Sequence, residues 1–166
     1  MSAAPAGFRI EPAMPTDLPL LVTLIRELAQ FEHLLHEAKA TEADLHTALF
    51  GARPFAEVVI GRAGDDAAGF ALFFHNYSTF VGKPGIYLED LYVRPAHRGH
   101  GCGAALLKHV AQLAVARGCG RFEWSVLDWN QRAIDFYKKL GARPMDDWTI
   151  FRVTGAALEE LGRKGG

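Results

Sequence analysis

The stretch VRPAHRGHGCGAALLKHV, residues 93–110, joins the end of an apolar strand to an amphipathic helix. Three glycines alternate after Arg98, and Arg94 adds a second positive charge nearby. In the first turn of a helix the backbone N–H groups lack partners, and the helix dipole adds partial positive charge. Glycines carry no Cβ, so the oxygens of an anion can come close to that backbone. The stretch therefore predicts an anion site, and a diphosphate fits it.

Other glycine-rich loops also bind phosphates, and the sequence distinguishes this loop from two of them. A P-loop is excluded because no Gly-Lys-Ser/Thr follows the glycines. Gly99, Gly101 and Ala104 satisfy the dinucleotide pattern G-x-G-x-x-G/A, and Glu123 lies near the distance expected of a ribose partner. Against that alternative, RPAHR separates the strand from the first glycine, and only one β-α-β unit surrounds the loop. A tight turn without a ligand is the structural alternative.

Composition limits the class of protein. The 166 residues are 49% hydrophobic and 22% charged, which predicts one globular domain over 1–166. The formal charge of −1 argues against a nucleic-acid partner, which would favour a basic excess. Cys102 and Cys119 have no zinc-ligand spacing, so we expect no metal site and a reducing, cytoplasmic location. No apolar run approaches membrane-spanning length, and we expect no membrane partner.

Hydrophobic periodicity predicts a mixed α/β chain in the order β-α-α-β-β-β-α-β-α-β. Thr41 and Asp44 have the spacing of a capping box, and Gly141 is a helix stop. No repeat or linker divides the chain. The predicted strands span 8–12, 56–60, 69–77, 85–93, 121–127 and 148–153, and the helices begin near 16–17, 41, 101 and 130.

Two carboxylates stand in an apolar strand. In GIYLEDLYV, residues 85–93, alternation sends Glu89 and Asp90 to opposite faces. Because burying an unpaired charge is costly, at least one of them should face a cation; a solvated face or an internal ion pair are the alternatives. A third carboxylate, Glu32, continues the apolar stripe of the first helix.

These residues resemble a known family. Arg98–Ala104 is similar to the R/Q-x-x-G-x-G/A loop of the GNAT superfamily of N-acetyltransferases, which holds the pyrophosphate of acetyl-CoA. The stretches IRELAQFE, YLEDLYV and VLDWNQRAIDFYKKLGA resemble the diamine acetyltransferases in order and spacing. The resemblance implies an α/β GNAT-like fold, with a mixed, mostly antiparallel sheet flanked by helices. It also implies a bulge in the 86–93 strand, opening a V-shaped acetyl-CoA slot toward the 121–127 strand.

The resemblance implies acetyl-CoA as cosubstrate. Main-chain groups of Leu91 and Val93 would pair with pantetheine, and the Leu91 N–H would polarise the thioester carbonyl. The implied cofactor residues are Leu91, Tyr92, Val93, Arg98, Gly99, His100, Gly101, Cys102, Gly103, Ala104, Asn130, Gln131, Arg132 and Ala133.

The resemblance also implies the catalytic groups. An alkyl ammonium has a pKa of about 10.4, so its deprotonation at pH 7 costs about 4.6 kcal/mol and calls for a carboxylate. Glu89 would be the base or the amine anchor, and Tyr137 would give a proton to the departing thiolate. The implied substrate-binding residues are Phe31, Glu32, Glu89, Asp90, Glu123, Trp124, Ser125 and Asp146.

The implied activity is direct acetyl transfer to the primary amine of a small diamine or a lysine-like amino acid, such as a polyamine or thialysine, by a homodimer. Before and including Trp148, this chain has RPMDDW where the relatives carry a longer acidic segment. Asp146 would supply the acidic group of that segment. Three alternatives stay open: an acetyltransferase for proteins or antibiotics, a non-catalytic acyl-CoA-binding module, and a dinucleotide-dependent oxidoreductase.

Overall fold

The computed structural model describes residues 4–163. The chain divides into two units, one ending at Ser125 and the other beginning at Val126. A single domain over the whole chain therefore stays a prediction. The elements are β1 Phe8–Pro12, α1 Leu18–Phe31, α2 Glu42–Phe50, β2 Glu57–Ala63, β3 Asp66–Ser78, β4 Lys83–Val93, α3 Cys102–Ala116, β5 Arg121–Trp124, α4 Gln131–Lys139 and α5 Gly155–Gly162.

One sheet organises the first unit. Its strand order is β1-β2-β3-β4-β5, antiparallel from β1 to β4 and parallel between β4 and β5. This arrangement confirms the predicted mixed, mostly antiparallel sheet. The parallel step follows from the α3 crossover, because strands joined through a helix return in the same direction.

Helices cover both faces of this sheet. On one face, leucines of α1 and α2 pack on Ile60 and Phe70 in the main core cluster. On the other face, α3 packs against β3 and β4 and buries Leu106 and Val110. Alternation along each strand supplies apolar side chains to both layers, which is the arrangement of a three-layer α/β domain.

Local signals set the helix ends as predicted. Asp17 is the N-cap of α1, and Pro19 lies in its first turn, where no backbone donor is needed. The Thr41 hydroxyl accepts from the Asp44 N–H while the Asp44 carboxylate accepts from the Thr41 N–H. Gly141, after α4, has φ of +88°. The capping box and the glycine stop are both confirmed.

The end of the chain differs from the prediction. Residues 148–153 form no strand, and α5 follows where no helix was predicted. β5 stops at Trp124 rather than at residue 127. Apolar alternation gives a segment the side chains of a strand, but the strand itself needs backbone partners from elsewhere. The local sequence does not supply those partners, so the predicted terminal strand is wrong here.

Candidate active site

The glycine loop leads from β4 into α3. A short 3-10 turn, Pro95–His97, follows the strand, and Gly101 is the N-cap of α3. Gly99 has φ of +82° and Gly101 has φ of +79°, a left-handed region that other residues enter with strain. Around Gly99 no atom lies within 4 Å of where a Cβ would stand. Both glycines are therefore required by conformation, and the described residues leave open space beside Gly99.

The backbone amides of this loop are available to a ligand. Within residues 4–163, the N–H groups of residues 99–104 donate to no protein acceptor; the next amide, Ala105, donates to the Gly101 carbonyl. Six successive amides without a protein acceptor at the N-terminus of a 15-residue helix add to the partial positive charge of the helix dipole. The residues present therefore fit the linked phosphates of a coenzyme.

The two arginines near the loop have different partners. Arg94 donates from Nε and Nη2 to the Glu27 carboxylate, at 3.0 and 2.8 Å. Its charge is therefore used to tie β4 to α1, and the expectation of a free charge beside the loop is wrong for Arg94. Arg98 donates from Nε to the Val93 carbonyl, and its guanidinium lies 4.6 Å from the ring centroid of Phe31.

β4 carries a bulge at Glu89. Phe73 of β3 is in register with Leu88, and Leu72 with Asp90, so Glu89 is the extra residue. Pairing with β5 also ends here, at Leu88 and Trp124. A bulge interrupts simple alternation, so the period of two that the prediction used for Glu89 and Asp90 does not by itself fix their faces here. The bulge implied by the family resemblance is present.

Beyond the bulge β4 has one free edge. The Arg94 N–H donates across to Ala68 of β3, and alternation turns the Tyr92 backbone the same way. The N–H groups of Leu91 and Val93 and the Leu91 C=O therefore point to the other edge, where no strand of residues 4–163 pairs with β4 after Leu88; the Val93 C=O already accepts from Arg98 Nε. This edge can form strand-like hydrogen bonds with an extended ligand such as pantetheine.

Three carboxylates near the bulge form a group that we call the acidic trio: Glu32, Glu89 and Asp90. In the described part of the chain, no hydrogen bond or ion pair reaches any of the three carboxylates. Burial, followed by the negative charges of Glu89 and Glu32, raises the pKa of Asp90 from 3.8 to about 7. Burial also raises the pKa of Glu32, at the C-terminus of α1. The trio concentrates negative charge that the protein itself does not neutralise.

The β5 side of the site has other partners. Glu123 accepts from Arg121 Nε at 2.8 Å and from Asn76 Nδ2 at 3.1 Å. The Ser125 hydroxyl lies 2.6 Å from the Tyr87 hydroxyl. Trp124 stacks at a tilt against Phe122. Glu123 is therefore neutralised by its neighbours, which sets it apart from the acidic trio.

Other residues predicted for the site lie in the second unit, on α4 or in the loops beside it. Asn130 is the N-cap of α4, and its Oδ1 accepts from the Ala133 N–H. Gln131 donates to Asp135, and Arg132 is exposed. Tyr137 is half-buried on α4, with its ring 5.4 Å from that of Phe136. Asp146 is exposed in the following loop.

Two features were not found from sequence. Tyr87 was not selected, although its place two residues before Glu89 in the same strand was a usable signal. Asp90 is unpaired, and arginines of the described chain pair with other carboxylates instead. Local sequence patterns do not show which carboxylate an arginine will pair with. In the described residues there is no group of three metal-ligating side chains and no helix that could cross a membrane, and the two cysteines are free.

Comparison with known proteins defines the class. Residues 22–142 match the acetyltransferase (GNAT) family. The chain belongs to this family and is an acetyl-CoA-dependent N-acetyltransferase.

Individual relatives cover nearly the whole chain. Mouse thialysine N-epsilon-acetyltransferase is 38% identical over 94% of this chain and 98% of its own length. The Arabidopsis thaliana L-ornithine N5-acetyltransferase NATA1 is 35% identical over 93% of this chain and 88% of its own. Among solved structures, an integron cassette protein from the mobile metagenome of V. cholerae superposes with a TM-score of 0.80 at 27% identity, covering 95% and 98% of the two chains.

Proposed function

We propose that this enzyme transfers acetyl directly from acetyl-CoA to the primary amine of a small diamine or lysine-like amino acid, of the thialysine or polyamine type. One observation carries the proposal: an acidic trio with no cationic partner among residues 4–163 lies where β4 leaves β5. A cationic substrate would neutralise this charge. The names of the relatives agree in chemistry, since thialysine and L-ornithine are small amino acids with a second amine.

The coenzyme would be held mainly by backbone. The free N–H groups of residues 99–104 would bind pyrophosphate oxygens, and the Leu91 and Val93 main chain would pair with pantetheine. When bound, acetyl-CoA supplies the acetyl group as a thioester. The Leu91 N–H would polarise the thioester carbonyl, since a donor fixed in advance stabilises developing negative charge on oxygen.

The side chains would handle the amine and its protons. Glu89 acts as the base or as the anchor of the ammonium, and Glu32 and Asp90 add to the attraction. Tyr137 gives a proton to the departing sulfur; this role comes from the family resemblance. A Tyr137→Phe variant should lower kcat about 10²- to 10³-fold and leave the Kd for CoA within about twofold. Unchanged turnover would remove Tyr137 from the mechanism.

The test is release of CoA thiol across a panel of amines. We expect turnover with thialysine, ornithine, lysine, spermidine or putrescine. We expect at least tenfold lower kcat/KM with butylamine, which lacks the second charged group. Preference for an aminoglycoside or a peptide amine would favour the alternative substrates. CoA binding without thiol release for any amine would contradict the proposal.

We further propose that the enzyme is a cytoplasmic homodimer. The dimer rests on the family resemblance, and the location rests on the two cysteines without a disulfide pattern. Light scattering coupled to gel filtration measures the first, and a mass near that of one 18.2 kDa chain would contradict it. Fractionation of the source cells measures the second.

A further inference from the structure

Glu89 and Asp90 are neighbours with different environments. Glu89 is the extra residue of the β4 bulge and is exposed. Asp90 stays in register with Leu72 of β3 and is half-buried. An exposed carboxylate keeps its water shell and acts at a distance on a cation, whereas a half-buried one is poorly solvated in its charged form. The two residues are therefore suited to different tasks.

Asp90 lacks the arginine partner that five other carboxylates of the first unit have. Ion pairs with arginine hold Glu11, Asp17, Glu27, Glu57 and Glu123. Among residues 4–163, Asn76 Oδ1 is the only fully buried side-chain nitrogen or oxygen without a hydrogen-bond partner. The Asp90 oxygens also have no hydrogen-bond partner but are not in that class, so they are not fully buried. Asp90 is thus partly desolvated, unpaired and still accessible. A carboxylate in this environment can accept a proton from a bound ligand.

We infer that Asp90 accepts the proton of the substrate ammonium, while Glu89 attracts and positions that cation. This assignment rests on the proposed function and divides its amine step between two residues. The charged groups around Asp90 support this assignment. Glu89 on the same strand and Glu32 at the end of α1 act on Asp90. Farther along β4, Tyr92 interacts with Glu27, whose charge is held by Arg94.

The strength of Asp90 as a base supports the assignment. Its pKa is raised from 3.8 to about 7, by burial and then by the charges of Glu89 and Glu32. Relative to an ordinary aspartate, this change moves the proton-transfer equilibrium with an amine by a factor of about 10³ in favour of transfer. A base is most effective when its pKa lies near the working pH.

Acetyl transfer with Asp90 as the base conserves atoms, electrons and charge. An N–H bond of the ammonium breaks, and its proton forms an O–H bond on Asp90. The freed nitrogen lone pair forms the C–N bond to the thioester carbonyl carbon, and the C–S electron pair leaves with the sulfur. The nitrogen then loses its second proton, while the thiolate gains one. Asp90 returns its proton to solvent, so one proton is released per acetyl group transferred.

The test is the pH dependence of kcat/KM for thiol release with the best diamine, in wild type and three amide variants. Wild type should rise through an inflection near pH 7. Asp90→Asn should lose this inflection and about 10²- to 10³-fold in kcat. Glu89→Gln and Glu32→Gln should keep it and move it to lower pH, because each removes a negative charge that holds the proton on Asp90. Glu89→Gln should also raise KM more than it lowers kcat.

The outcomes are distinct. A wild type without turnover on any amine refutes the proposed function. An active wild type whose inflection survives in Asp90→Asn, or is lost in Glu89→Gln instead, overturns the assignment of Asp90 alone. Thermal melts and CoA titrations verify that each variant folds and binds coenzyme. If Asp90→Asn does not fold, the direction of the shift in Glu89→Gln and Glu32→Gln still decides, since no shift in either contradicts the inference.

Discussion

The carboxylates of this enzyme fall into two regions with opposite electrostatic character. Toward β1 and α1, Arg62 bridges Glu11 and Asp17, and Arg94 forms two hydrogen bonds with Glu27. At the β4 bulge, the acidic trio has no such cation in the described chain. The same residue types are thus structural in one region and available for chemistry in the other.

The two regions differ in whether their carboxylates pair with arginine. A partly buried carboxylate with a bidentate arginine keeps its negative charge and links two elements. A partly buried carboxylate beside other carboxylates has its charged form destabilised, and its pKa rises. A cationic substrate reverses that destabilisation. The position of unpaired acid groups is therefore a better guide to this site than the number of acid groups.

The largest expected difference between the two regions is a difference in activity. Glu89→Gln removes a charge that attracts the diamine, and we expect kcat/KM to fall about a hundredfold, equivalent to about 2.7 kcal/mol. Glu27→Gln removes a paired carboxylate and should stay within about threefold of wild type. Steady-state thiol release measures both. Equal losses in the two variants would abolish the distinction between the regions.

The next effect concerns stability and has an unusual sign. The folded pKa of Asp90, about 7, lies above the unfolded value of 3.8. The folded state therefore binds a proton that the unfolded state has released, and stability falls as pH rises between these values. Asp90→Asn removes this loss and should gain about 1–3 kcal/mol at pH 8 but little at pH 4. Urea unfolding at both pH values measures the gain.

A paired carboxylate should show the opposite sign. Glu27→Gln leaves Arg94 without its anion, and each of these side chains is about 30% exposed. We expect a loss of about 1–2 kcal/mol in the free energy of unfolding. Arg94→Lys, which keeps the charge but not the two-pronged geometry, serves as the matched control and should lose less. A stabilised Glu27→Gln variant would contradict the pairing.

The smallest effect is a response to salt. Raising NaCl from 0.05 to 0.5 M screens the attraction between the exposed Glu89 and a dicationic substrate, and KM should rise several-fold. The KM for acetyl-CoA should change less, because in the proposed site backbone hydrogen bonds would contribute much of its binding. A KM for the amine that does not depend on salt would argue against electrostatic capture by the trio.

Much of the fold follows from local patterns. The apolar stripe of α1, the capping box at Thr41 and the glycine stop at 141 each depend on residues within one or two turns. The strand at 148–153 was wrong because pairing is a property of two segments. The site divides in the same way: the loop around Gly101 was readable, whereas the use of Arg94 by Glu27 was not.

The sequence alone determined most of the elements as far as α4, the glycine loop and the presence of carboxylates in the fourth strand. These depend on side-chain periodicity and on glycine conformations, which are encoded by neighbouring residues. Only the tertiary structure decided that Glu89 is the bulged residue and that, within residues 4–163, the loop amides have no acceptor and Asp90 has no cationic partner. Register and ion pairing join residues far apart in the chain, so burial and charge at one position are fixed only when the whole unit has folded.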